Sequence, residues 1–190
     1  MIDLLLDTAP RWALLHAPAL LIMVPLFLAP LLAILPSGRL SWLISIAATV
    51  FSLFCALILV GQVQASPIGV VGYDVGNWPM PIGITLRVDA LNSMILLLVA
   101  VIGVLSTIFS WPTVKAEIPE RKHPLFYSAF LVCFAGLSGV AITGDAFNLF
   151  VFLEISSIST YVLVALGAGR DRRALPAAFK YLIMGTLGAS

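Results

Sequence analysis

The chain alternates between long apolar runs and short polar breaks, and this pattern predicts membrane-spanning helices. A span needs about 20 consecutive apolar residues. Runs close to that length cover about residues 14–35, 42–63, 89–110, 124–143, 147–167 and 174–190. The sixth run is the shortest and is still apolar at Ser190, so it is expected to be a truncated helix. The predicted fold class is an all-α integral membrane protein, with residues 1–190 as a single transmembrane domain of about six helices.

The polar breaks predict how the helices begin, end and connect. Residues 64–88 form a long connection rich in Gly and Pro, and alternation over residues 82–88 predicts a short hairpin-like element at the membrane surface. Asp89 is a good N-cap for the third helix, and Asp145 with Asn148 for the fifth. Trp111 and Pro112 are expected to end the third helix near residue 110.

Composition supports this class and excludes several others. Hydrophobic residues make up 61% of the chain and charged residues 10%, whereas soluble domains carry about 25% charged residues. A net charge of +1 leaves no basic field for nucleic acid. We find no phosphate loop, nucleotide fingerprint, metal-spaced cluster or nucleophile triad, and Cys55 and Cys133 lie in apolar runs. No cofactor, metal site or disulfide is predicted. Asp3 and Asp7 precede the first apolar run, which argues against a signal peptide.

The distribution of Lys and Arg predicts an orientation. Seven basic residues fall in the connections after the first, third and fifth helices: Arg39, Lys115, Arg121, Lys122, Arg170, Arg172 and Arg173. Only Arg11 and Arg87 fall on the opposite side. Because short cytoplasmic loops carry the Lys/Arg excess, we expect the N-terminus and residues 64–88 to lie outside. This corresponds to a multi-pass protein of a bacterial inner membrane with a periplasmic hairpin.

A carboxylate lies well inside the fifth apolar run. An ionised group in mid-bilayer costs roughly 2.5–3.5 kcal/mol on insertion scales, so Glu154 is expected to belong to an ion path or to a structural buried ion pair. Ser157 and Tyr161 share its helical face by i+3 and i+7 spacing and supply hydroxyls. Such hydroxyls can relay protons through water or can simply bond to a neighbouring helix.

Lys180 is the second charge within an apolar run. The fifth and sixth helices are consecutive and antiparallel, so Glu154 and Lys180 are expected at similar depth, as a coupled pair suited to a proton relay. The alternative is that Lys180 extends toward the cytoplasmic headgroups. The sequence alone does not decide between these two interpretations of Lys180.

Three motifs resemble those of a known family. They are TGDAFNLFVFLE at residues 143–154 with STY at 159–161, AAFKYL at 177–182, and the segment 78–89 before the third helix. These residues resemble the antiporter-like membrane subunits, namely the D-type subunit of Mrp-type cation/proton antiporters and its relatives in respiratory complex I and membrane-bound hydrogenases. The similarity covers most of residues 74–190, and the FNLFVFxE core is its most specific part.

The resemblance implies a fold, partners and roles. Glu154 matches the glutamate taken as essential for proton movement, and Lys180 matches the lysine near the start of the sixth helix. Family members continue through a broken seventh helix that carries a further lysine, and then through a second inverted repeat. The chain is therefore expected to be the N-terminal part of such a subunit, working with other membrane subunits and unable to exchange ions alone.

Three functions remain open on these grounds. The leading one is proton translocation coupled to Na+ or K+ exchange in a multisubunit antiporter. The first alternative is a proton-pumping subunit of an NADH:quinone oxidoreductase or hydrogenase complex, with the same residues driven by redox energy. The second alternative is a noncatalytic assembly fragment.

Overall fold

Each of the six apolar runs forms a helix. The computed structural model describes residues 10–78 and 83–189, and within them the helices are α1 (Arg11–Ile34), α2 (Gly38–Ala65), α3 (Ala90–Glu117), α4 (His123–Ile142), α5 (Ala146–Leu166) and α6 (Ala174–Ala189). Five of these helices, α1 to α5, are long and apolar enough to cross a membrane. With 16 residues, α6 is the shortest. The prediction of an all-α membrane protein is confirmed.

The long connection between α2 and α3 folds into an antiparallel pair of strands. Strand β1 (Val70–Asp74) pairs with β2 (Thr85–Asp89), and Val70 lies opposite Asp89 in the register. Gly76 has a φ of 69°, a left-handed conformation that glycine adopts without strain, and it turns the chain after β1. Asp89 then accepts the Asn92 backbone N–H at 2.9 Å, which confirms its role as the N-cap of α3. Of the predicted strand segment, Ile82 lies outside the described residues, as do Asp3, Asp7 and Ser190.

The prediction that α3 ends at Trp111 and Pro112 was wrong. The helix passes through Pro112 and ends at Glu117, about two turns later. Its extension is stabilised by packing, since Val114 and the following Ile118 are 2% and 8% exposed, in a cluster with residues of α1, α2 and α4. Burial of two aliphatic side chains offsets the hydrogen bond that a mid-helix proline removes.

The connections segregate to two opposite ends of the bundle. At one end, which we call the basic end, the α1–α2, α3–α4 and α5–α6 connections adjoin one another, and Arg170 pairs with Glu117 at 3.6 Å. At the other, the hairpin end, Leu86 of β2 bridges to Thr143, and the Gly144 N–H donates to the Thr85 carbonyl at 2.9 Å. The up-and-down helix order therefore separates the seven basic residues from the hairpin as the charge pattern predicts.

Helix α4 is the central element of the bundle. It packs against α1, α5, α3 and α2, and its Tyr127 is fully buried with the hydroxyl 3.2 Å from Ser110 Oγ on α3. Polar side chains join the other helices, since Trp42 Nε1 on α2 donates to the Thr107 carbonyl on α3 at 2.8 Å. Helix α6 packs mainly against α5, at the edge of the bundle. The position of α5 therefore determines where the two intramembrane charges lie.

Candidate functional site

Helix α5 begins at a well-formed cap beside the hairpin. Asp145 Oδ1 accepts the Asn148 backbone N–H at 2.7 Å, and Asp145 Oδ2 accepts from the Asn148 side-chain amide at 2.6 Å. The side-chain hydrogen bond from Asn148, reinforced by the backbone one, lowers the pKa of Asp145 from its ordinary value. Asp145 and Asn148 therefore form the N-terminal cap of α5 that the sequence predicted. The bridge between Leu86 and Thr143 fixes the start of α5 against β2.

One face of α5 packs closely on α4 through two glycines. A side chain at Gly136 would bring its Cβ to 2.8 Å from the backbone nitrogen of Ser156, and one at Gly139 would overlap the Phe152 ring. The hydroxyls on this side are satisfied locally: Ser156 donates to the Leu153 carbonyl at 2.9 Å. Small residues allow two membrane helices to approach closely, and the sequence reasoning missed this pair.

The opposite face of α5 carries Glu154, Ser157 and Tyr161 in one stripe, as their spacing predicts. All three side chains are half-buried. Tyr161 lies against α6: its ring packs edge-on to Tyr181 with centroids 5.5 Å apart, and a Cβ at Gly185 would lie 2.8 Å from its hydroxyl. The stripe therefore points to the α6 side of α5 and away from the α4 interface.

The structure does not bring Glu154 and Lys180 together. In the described part of the chain, the Glu154 carboxylate and the Lys180 ammonium are more than 4 Å apart. The ion pair found there joins Arg170 to Glu117. The contact of Tyr161 with Tyr181 sets the register of the two helices. Glu154 precedes Tyr161 by seven residues, toward the hairpin end, whereas Lys180 is adjacent to Tyr181 on the side of the basic end. Glu154 therefore lies on the hairpin side of this contact and Lys180 on its basic side, and no ion pair joins them.

Lys180 is exposed on the surface of α6, with apolar neighbours that are exposed as well. Phe179, Met184 and Leu187 leave 61%, 71% and 68% of their surface uncovered, so most of α6 faces lipid or another chain. Among residues 10–78 and 83–189, no group of three His, Cys, Asp or Glu side chains gathers as metal ligands.

A second polar feature, on α2, was not singled out from the sequence. Four hydroxyl residues, Ser41, Ser45, Thr49 and Ser52, form a fully buried stripe. Each donates to the carbonyl four residues earlier, at 2.8–3.0 Å. Their spacing of three or four residues was the signal that could have revealed them. Because every hydroxyl is satisfied by its own helix, this stripe serves close packing of α2.

Comparisons with known proteins place this fold among membrane complexes. No protein-family model matches the chain. It is 38% identical over 181 residues to NADH-quinone oxidoreductase subunit N of Desulforudis audaxviator (strain MP104C), covering 92% of this chain and 34% of that protein. It is 31% identical over 170 residues to the D-type subunit of the Na(+)/H(+) antiporter of Bacillus subtilis (strain 168), covering 89% of this chain and 33% of that protein.

The solved structure of the Mrp complex from Dietzia sp. DQ12-45-1b contains a similar chain, with a TM-score of 0.78 and 26% sequence identity over 91% of this chain and 32% of that one. The fold and these matches define a multi-pass membrane subunit. The chain is a homologue of the antiporter-like membrane subunits, as its motifs predicted. It spans about a third of the length of the relatives named here.

Proposed function

We propose that this chain forms part of a proton path in a multisubunit monovalent cation/proton antiporter, in which Glu154 takes up and releases the proton. The observation that carries the proposal is a half-buried carboxyl in the middle of a membrane-spanning helix, outside every ion pair of the described residues. A group kept there despite the cost of desolvation is a functional candidate by default. The relatives among the D-type antiporter subunits supply the class of transport.

Ser157 and Tyr161 extend the path from Glu154 toward Lys180. They follow Glu154 along the same face of α5, and Tyr161 meets α6 one residue beyond Lys180. In the proposed path these two hydroxyls, with water between them, relay the proton along this face of α5. Lys180 supplies a positive charge beside the contact at which this path meets α6.

A second candidate function is supported by the subunit N relative from D. audaxviator. In that case the same residues move protons in a quinone-reducing complex, and redox energy drives them. In both cases the chain assembles with other membrane subunits, and the exposed apolar face of α6 is the surface that they cover. An assembly role without transport is the remaining alternative.

The two transport functions differ in what drives the proton. We expect everted membrane vesicles from the source cells, acidified by an independent pump, to lose their pH gradient when NaCl or KCl is added. Acridine orange fluorescence reports the loss, and vesicles from cells lacking the gene should retain the gradient. A gradient that instead forms only during NADH oxidation and depends on the gene would favour the redox-driven complex. Unchanged behaviour in both assays would leave only the assembly role.

We also propose that the N-terminus and hairpin lie outside a bacterial inner membrane, with the basic end in the cytoplasm, because the Lys/Arg asymmetry matches the two ends of the bundle. In a background lacking Cys55 and Cys133, Lys122→Cys and Asp171→Cys should resist an impermeant thiol reagent on intact cells. Gly72→Cys on β1, where the added side chain meets open space, is the matched control that should react. The reverse labelling pattern would contradict this orientation.

A further inference from the structure

A cavity with a mainly basic lining opens at the basic end, away from the α5–α6 face. It has a volume of about 470 Å³ and lies between the start of α2, the end of α3 and the α3–α4 connection. Arg39, Lys115 and Arg121 come to its wall from these three elements, together with a single carboxylate, Glu120. The wall therefore carries three positive charges against one negative charge. The proton path proposed above uses none of these residues.

The backbone adds to the preference for an anion. Ser37 caps α2 by accepting the Leu40 N–H at 3.4 Å, so the N-terminal turn of α2, with Gly38, opens into the cavity wall. The positive end of a helix dipole favours negative charge. Arg39 and Arg121 offer forked N–H donors, a geometry that matches the oxygens of a phosphate group.

The floor of the cavity is fixed by packing. His123 is 4% exposed, and its Nε2 donates to the Ile118 carbonyl at 2.8 Å. Trp111 lies edge-on to His123 with centroids 6.1 Å apart and is tilted against Trp42 at 5.4 Å. These contacts hold the rings of the floor in place, and the exposed side chains of Arg39, Lys115 and Arg121 stand around it.

The position of Trp111 favours a ligand that belongs to the membrane. Tryptophans concentrate at the membrane–water boundary, and this residue lies near the end of α3, where the helix passes from its apolar run into charged residues. Basic hollows between membrane helices at this level suit anionic lipid headgroups. Ile108, which shares a face of α3 with Trp111 and Lys115, is 43% exposed, so the acyl chains of a lipid held here would lie beside apolar surface.

We propose that this cavity binds the phosphate of an anionic membrane lipid. Arg39, Lys115 and Arg121 neutralise the phosphate, the first turn of α2 contributes backbone dipoles, and Trp111 lies at the level of the headgroup. A zwitterionic lipid carries a cationic group that the three basic side chains repel. The expected ligand is therefore a phosphatidylglycerol or cardiolipin headgroup, and phosphatidylcholine is disfavoured.

The test compares ligands on the purified, detergent-solubilised full chain. Phosphatidylglycerol or cardiolipin in mixed micelles should raise the unfolding temperature, whereas phosphatidylcholine or inorganic phosphate at the same concentration should not. The double variant Arg39→Gln/Arg121→Gln should need at least about tenfold more anionic lipid for half of the shift, since two charge-assisted contacts are lost. Arg172→Gln/Arg173→Gln removes the same charge at the same end outside this cavity, and it should respond like the parent protein.

Lys115→Gln provides an independent check, because it changes the cavity from α3 and should also weaken the response. If the double variant unfolds in lipid-free detergent, Lys115→Gln decides the outcome. An equal response of the cavity variants and the Arg172/Arg173 control, or no response of the parent protein to anionic lipid, would overturn the proposal. Equal protection by inorganic phosphate would assign the cavity to a soluble phosphate and would overturn the lipid assignment.

Discussion

Cells that carry Glu154→Gln are expected to lose cation-dependent proton exchange while retaining the assembled complex. Glutamine keeps the size and polarity of the side chain but can neither release nor take up a proton at neutral pH. If Glu154 is the group that carries the proton, exchange in everted vesicles should fall at least tenfold, to the background of vesicles lacking the gene. Helix content and the amount of complex in the membrane should remain unchanged, because Glu154 forms no ion pair in the described part of the chain.

Glu117→Gln is the matched control for this substitution. Glu117 is half-exposed at the end of α3 and pairs with Arg170 at 3.6 Å, an arrangement worth about 0–1 kcal/mol. Its replacement removes one carboxylate at the basic end and should leave exchange close to normal. If Glu154→Gln transports normally at normal expression, Glu154 has a structural role only and the proposed path is wrong. If both substitutions abolish exchange, the loss of either carboxylate charge impairs transport, and the effect is not specific to Glu154.

Gly136→Ala is expected to weaken the bundle by separating α4 from α5. The new Cβ would lie 2.8 Å from the backbone nitrogen of Ser156, and a helix backbone cannot move aside as a side chain can. Overpacking of this kind costs about 1–3 kcal/mol. The unfolding temperature of the purified chain, followed by labelling of Cys55 and Cys133 as they become accessible, should fall by several degrees.

Gly188→Ala is the control for this effect, because a Cβ at Gly188 meets no atom within 4 Å. Replacing glycine with alanine favours a helix by about 1 kcal/mol in its interior and by less in its last turn, where Gly188 lies, so a loss of stability at Gly136 opposes the local preference and reports the α4–α5 contact. If Gly136→Ala is as stable as Gly188→Ala, the two helices do not approach each other as closely as this contact requires. The position of the Glu154 stripe would then need revision, since α4 holds α5 in place.

The helices, their order and their caps follow from local patterns. Each apolar run long enough to span a membrane became a helix, and Asp89 and Asp145 cap the helices that their positions predicted. The stripe of Glu154, Ser157 and Tyr161 also follows from helical geometry alone, because residues three, four and seven apart must share a face. The sequence motifs also indicated the protein family, and the comparisons with known proteins support that assignment.

Features that depend on which helix faces meet could not be derived in this way. These helices are apolar on nearly every side, so periodicity does not reveal which face is inward, as it does in a soluble amphipathic helix. The close approach at Gly136 and the cavity around Arg39, Lys115 and Arg121 appear only when separate elements are packed together.

The order of residues along the chain was enough to establish the membrane class, the six helices, the two-ended charge distribution and the shared face of Glu154, Ser157 and Tyr161. These properties depend on the hydrophobicity and spacing of residues that are near each other in the chain. Packing in three dimensions was needed to establish that α3 continues past Pro112, and that Glu154 and Lys180 form no ion pair. The first depends on the burial of Val114 and Ile118, and the second on the register between α5 and α6. Both are set by contacts between residues distant in sequence, whose energies outweigh local preference.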